Sequence, residues 1–249
     1  MEKKSTKKKA EITKKIDWKK IGYSTLLVTW TGIACILAQI IVGFPMLWLL
    51  GKAKFGQPVW TTIYTALVYI VAAMLVILVP KLIKKSWKTS RDKLGLKELP
   101  TFTDIGVGII GFITTIIISG IALTILQSLN LVDSGQAQDT GFNNLYGQFD
   151  RIVAFLALVV FAPIAEEIIF RGWLYEKLKK YCPVDVAIAL TSLLFASLHG
   201  QWNVGVTVGI MSAIMCIERE FTGTIYAGII THMIKNGVAF WLLYVVMGG

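Results

Sequence analysis

The run Tyr23-Ser-Thr-Leu-Leu-Val-Thr-Trp-Thr-Gly-Ile-Ala-Cys-Ile-Leu-Ala-Gln-Ile-Ile-Val-Gly-Phe-Pro-Met-Leu-Trp-Leu-Leu50 carries no charged side chain over about 28 residues. Crossing a hydrocarbon core of about 30 Å takes about 20 helical residues, so this run predicts a membrane span. It exceeds the apolar stretch of a cleavable signal and no small-residue cleavage site ends it, so it is expected to stay in the membrane. Residues 59–80 and 105–126 read as the second and third spans. A fourth starts after Arg151 and runs into Glu166, and residues 184–198, 204–217 and 224–247 are further apolar runs. The expected fold class is all-α: a polytopic membrane helical bundle of about seven hydrophobic segments.

Composition agrees. The chain has 249 residues, 55% hydrophobic and 16% charged, against about 25% charged in soluble domains. That excludes a soluble enzyme, a DNA-binding domain and a disordered scaffold. The net charge of +10 does not point to nucleic acid, because nine lysines lie within the first twenty residues. They mark residues 1–22 as a basic cytoplasmic tail, each cation worth about 1 kcal/mol near anionic headgroups. Cys35, Cys182 and Cys216 form no CxxC pair, which argues against a disulfide framework or a thiolate zinc site.

Lys and Arg also set the orientation. Residues 81–97 hold seven of them, whereas residues 128–150 hold none and carry Asp133, Asp139 and Asp150. Lys177, Lys179 and Lys180 put the loop after the fourth span on the tail side; Lys52 and Lys54 are a mild exception. The expected layout is a cytoplasmic N-terminus, N-terminal spans over 23–127, an extracytoplasmic loop over 128–150 and a functional core over 151–249. Within that core, residues 184–198 and 204–217 rise only about 22 and 21 Å as helices. They predict a short hairpin around residues 184–217, turning near mid-depth at residues 200–203, where irregular backbone needs surrounding protein or a wet cavity.

The informative ionisable residues in the apolar runs are Glu166, Glu167, Arg171, His199, His232 and Lys235. Each charge at a span centre costs about 2.5 to 3.5 kcal/mol, so it usually has a partner or a task. Along Ala162-Pro-Ile-Ala-Glu-Glu-Ile-Ile-Phe-Arg171, Glu167 and Arg171 are i,i+4 neighbours that can pair. Glu166 is rotated about 140° from Arg171 and stays free to act as a base; Pro163 loosens the helix a turn earlier. His199 follows Phe195 by four residues and falls at the hairpin tip, and His232 and Asn236 share a face of the last helix. Taken singly, each has a bland reading: the glutamates and arginine as an ion pair between helices, either histidine as a helix-to-helix hydrogen bond. Converging from three helices, they admit two chemistries. One is a zinc or other divalent-metal site in which Glu166, His199 and His232 ligate the ion. The other is metal-free, with Glu166 and a histidine activating water while the second histidine and Asn236 stabilise the oxyanion. HExxH is absent, Ser119-Gly120 lacks the first glycine of GxSG, and Gly106-Val-Gly108 is followed by Ile109 where GxGD needs aspartate.

Glu166-Glu167-Ile-Ile-Phe-Arg171-Gly172, Phe195-Ala-Ser-Leu-His199 and His232-Met-Ile-Lys-Asn236 resemble, in order and spacing, the EExxxR, FxxxH and HxxxN motifs of the CPBP intramembrane proteases. This is the family of the CAAX prenyl endopeptidase and the bacterial Abi proteins. The resemblance covers about residues 155–237, and Arg91-Asp-Lys-Leu-Gly-Leu is similar to a loop of bacterial members. It implies a helical endopeptidase with a conical cavity open to the cytoplasmic half, acting on peptides or membrane proteins in the cell membrane. It also implies Glu166 as water-activating base with His199, Glu167 and Arg171 as ordering residues, and His232 with Asn236 at the oxyanion. Lys235 departs from the third motif, where small or apolar residues are usual. A bacteriocin self-immunity protein, with or without proteolysis, is the alternative function, and a scaffold keeping the motifs for packing is a third.

Overall fold

The computed structural model describes residues 17–50, 56–133, 140–142, 145 and 147–246. Residues 1–16 of the basic tail, Lys52, Lys54, Asp139 and Met247 lie outside the described residues. Seven helices follow in order: α1 (Trp18–Leu50), α2 (Gln57–Ile83), α3 (Phe102–Ser128), α4 (Gln148–Leu178), α5 (Val184–Ser197), α6 (Trp202–Thr222) and α7 (Tyr226–Val246). All but α5 and α6 are long and apolar enough to cross a membrane. The protein is thus an all-α, multi-pass membrane bundle.

Two helices run further than the charge pattern suggests. The fourth does not stop at Glu166; it continues through Arg171 and Lys177 to Leu178. Those charges do not end it because they are satisfied internally: Arg171 pairs with Glu167, and Lys177 Nζ donates to Lys88 O at 3.2 Å. The second arm of the hairpin is likewise not short. Its 21 residues rise about 31 Å, with Glu218 buried and accepting from Thr231 at 2.6 Å and Arg219 Nη2 donating to Lys93 O at 3.1 Å. The connection falls at residues 198–201, with Gly200 at φ 70°, two residues earlier than expected, since Trp202 and Asn203 already belong to α6.

Burial on α3 is inverted relative to a soluble helix. Its buried residues are Asp104, Gly108, Gly111, Thr115 and Ser119, while Ile110, Ile113, Ile117, Ile121 and Ile125 face outward. Small and polar residues inside with aliphatics outside is the pattern hydrocarbon surroundings select, since only close packing and hydrogen bonds hold helices together there. Gly111 is where this matters most: a Cβ on it would fall 1.6 Å from Glu218 Oε1 and 2.8 Å from Thr231 Oγ1. Thr231 Oγ1 also lies 2.8 Å from Gly108 O, sharing its one hydrogen between the two acceptors, so α3, α6 and α7 meet at one polar node.

The main apolar core joins Leu27, Ala34 and Ala38 of α1 to Ala72 and Val76 of α2 and to Ile169, Phe170 and Trp173 of α4. The α2–α3 connection is fastened across the end of the bundle. Trp87 Nε1 donates to Tyr181 OH at 2.7 Å, and Ile225 N to Gly95 O at 3.3 Å. Helix α3 then starts from a capping box in which Thr101 and Asp104 satisfy each other's backbone N–H groups.

Candidate active site

Helix α4 is not uniformly wound. Residues Leu156–Phe161 and Ile168–Tyr175 are π-helical, leaving Ala162–Glu167 as one α-helical turn and a half between them. Pro163 contributes to the first widening: it has no N–H to donate, and its ring crowds the preceding turn. Glu166 and Glu167 end the short α-helical piece, so their side chains leave in different directions between two widened turns. Such π insertions recur at functional sites.

Glu167 and Arg171 are both fully buried, and Arg171 Nη1 donates to Glu167 Oε1 at 2.9 Å. The guanidinium also stacks on Phe195, its carbon 4.7 Å from the ring centroid. Phe195 is the apolar hub of the site, meeting Phe170 and His199 edge-on at 4.9 Å and His232 at 6.0 Å. Helix α7 presses against the ion pair from the far side. A Cβ on Gly228 would lie 2.8 Å from Glu167 Oε2, an oxygen with no hydrogen-bond partner among the described residues.

His232 stands between the two glutamates. Its Nδ1 is 3.4 Å from Glu167 Oε1 and its Nε2 is 3.6 Å from Glu166 Oε2. Glu166 keeps a small exposed edge, and with His199 it lines a cavity of about 250 Å³ walled by α1, α2, α4 and α5. His199 Nδ1 lies 2.8 Å from Phe195 O. A carbonyl can only accept, so Nδ1 carries a proton, and in the neutral imidazole the lone pair is on Nε2.

The structure therefore gathers Glu166, Glu167, Arg171, His199 and His232 around Phe195. Asn236 sits apart: its Nδ2 donates to Leu158 O at 2.9 Å, inside the first π segment, and it lines a separate cavity of about 50 Å³ with Lys235. Lys235 makes no ion pair among the described residues. Nor does any group of three or more His, Cys, Asp and Glu among those residues converge as a metal-binding set. As they stand, Glu166, His199 and His232 do not form such a three-ligand cluster.

One contact escapes the sequence reading. Tyr69 of α2 donates its phenolic hydrogen bond to Glu166 Oε1 and lines the same cavity. Only ionisable residues stand out in an apolar run, so a neutral phenol gives no signal there. Its partner is 97 residues away.

Residues 148–238 match the family model described as Type II CAAX prenyl endopeptidase Rce1-like. That segment contains all seven motif residues from Glu166 to Asn236, but neither α1 nor α2. No curated protein and no solved structure matches the chain.

Proposed function

We propose that this membrane protein, whose residues 148–238 match the Rce1-like family model, is a CPBP-type protease that hydrolyses peptide bonds of membrane-associated peptides or proteins with water activated by Glu166 and His199. The observation that carries the reading is the division of labour between adjacent glutamates. Glu167 is sealed in a pair with Arg171, while Glu166 opens on a cavity shared with the His199 imidazole, whose Nδ1 is held by Phe195 O.

In this reading a water in the cavity gives its proton to Glu166 as its oxygen attacks the scissile carbonyl carbon. Glu166 later returns the proton to the leaving amine. His199 Nε2 accepts from the same water and aims its lone pair. A correctly placed general base supplies about 10²- to 10⁴-fold. His232 links the two glutamates. Glu167 Oε1 already accepts from Arg171, so a neutral imidazole donating Nδ1–H to it turns its Nε2 lone pair toward Glu166 Oε2. A proton on Nε2 would instead let His232 stabilise the oxyanion. Asn236 reaches that role only with the N–H not committed to Leu158.

The test is cleavage of a mixed pool of amphipathic and C-terminally lipidated peptides, read by mass spectrometry. Wild type runs beside Glu166→Gln, each with and without a chelator. Cuts made by wild type and lost in Glu166→Gln are expected. Identical maps for both would sink the reading, and chelator-sensitive cuts would require a metal route.

A further inference from the structure

Glu166 has two chemically equivalent oxygens on a side chain with three rotatable bonds, and a base of this kind works only when one oxygen is held toward the reacting water. In this structure one oxygen is taken. Tyr69 donates to Oε1, and Oε2 is the oxygen left facing His232 Nε2 at 3.6 Å. Tyr69 is set there by α2 itself. Thr65 and Ala72, four residues before and three after it, line the same cavity, and their small side chains leave the phenol room to reach α4.

We propose that Tyr69 is a positioning residue of the hydrolytic site, its phenol anchoring the Glu166 carboxylate through Oε1 so that Oε2 is the oxygen that takes the proton from water. The inference rests on the reading of Glu166 as the base. In the step it serves, a water O–H bond breaks, its proton goes to Glu166 Oε2, and the water oxygen bonds to the peptide carbonyl carbon. The phenol keeps its own proton throughout. The anchor comes from a helix outside the matched segment, so a functional contact of this site belongs to the N-terminal half of the chain.

Two measurements test this. In protein labelled with ¹³Cζ-tyrosine, the NMR line absent from Tyr69→Phe identifies Tyr69 among the eight tyrosines. That line should move in Glu166→Ala more than any other; an unmoved line overturns the contact. The second measurement uses an internally quenched version of the pool peptide that wild type cuts fastest. A hydrogen bond to a charged group is worth roughly ten- to hundred-fold in rate, so Tyr69→Phe should lower kcat by about that much and leave KM within about two-fold. In the Glu166→Asp background, whose shorter side chain withdraws from the phenol, the same substitution should change kcat by less than about three-fold. A loss confined to KM, an equal loss in both backgrounds, or an unchanged kcat each overturns the proposal. So does a kcat loss matched by early thermal unfolding in detergent. If wild type cleaves nothing, the hydrolytic reading falls on its own, and the NMR comparison still decides whether Tyr69 holds Glu166.

Discussion

Arg171 and Glu167 are each wholly enclosed, and their mutual bond at 2.9 Å is what makes that burial tolerable. Removing one partner of a buried pair strands the other charge at a cost of about 3 to 5 kcal/mol. Arg171→Ala is therefore expected to lower folded yield and melting temperature in detergent as well as activity; a normal melting temperature would contradict the pairing. Gly228 gives a finer probe. Its Cβ would intrude on Glu167 Oε2 at 2.8 Å, whereas a Cβ on Gly237 of the same helix meets only Val159 Cγ1 at 3.6 Å. Gly228→Ala should reduce activity sharply while Gly237→Ala is tolerated, and equal activities would show that α7 does not set the Glu167 carboxylate. The Glu167–Arg171 pair was legible in the sequence because i,i+4 spacing is a local rule. Tyr69 and the Asn236–Leu158 bond were not, since one joins distant neutral groups and the other depends on a π turn.

Among the elements, α4 and α6 show why charges mislead as helix ends. A lysine or glutamate stops a span only when water is its best partner. Here Lys177 finds the Lys88 carbonyl, and Glu218 finds Thr231. The apolar runs located all seven helices, but the lengths of α4 and α6 depended on partners that only the packed bundle supplies. Asp104 is the comparable case at the start of α3. Its carboxylate accepts from Thr101 N and Thr101 OH at 2.7 Å each, and from Thr224 OH at the α6–α7 turn. Asp104→Ala removes a cap and an inter-helix tie together, the cap alone being worth about 1 kcal/mol. It should lower the melting temperature without changing cleavage-site preference, and an unaltered melt would show the tie to be idle.

For the whole molecule, the lysine distribution predicts that the N-terminal tail and residues 81–97 share the cytoplasmic side, with residues 128–150 opposite. In a variant with Cys35, Cys182 and Cys216 replaced by serine, Ser134→Cys should react with an impermeant maleimide on intact cells. Ser5→Cys should react only after permeabilisation, and the reverse pattern would invert the topology. The layering itself was readable from composition, because a chain this apolar must turn its aliphatics outward. Which wall closes the Glu166 cavity was not readable, since α1 and α2 carry no motif.

That wall has an evolutionary corollary. Cys35, Gln39, Tyr64 and Tyr69 come from α1 and α2, and they meet Glu166 and His199 across one cavity. The motif-bearing segment thus does not enclose this cavity by itself. A chimera joining residues 148–238 to the front half of another protein would exchange that wall, and with it the Tyr69 contact to Glu166. Substitutions in the motif-free helices can then reshape this cavity while the signature residues stand still.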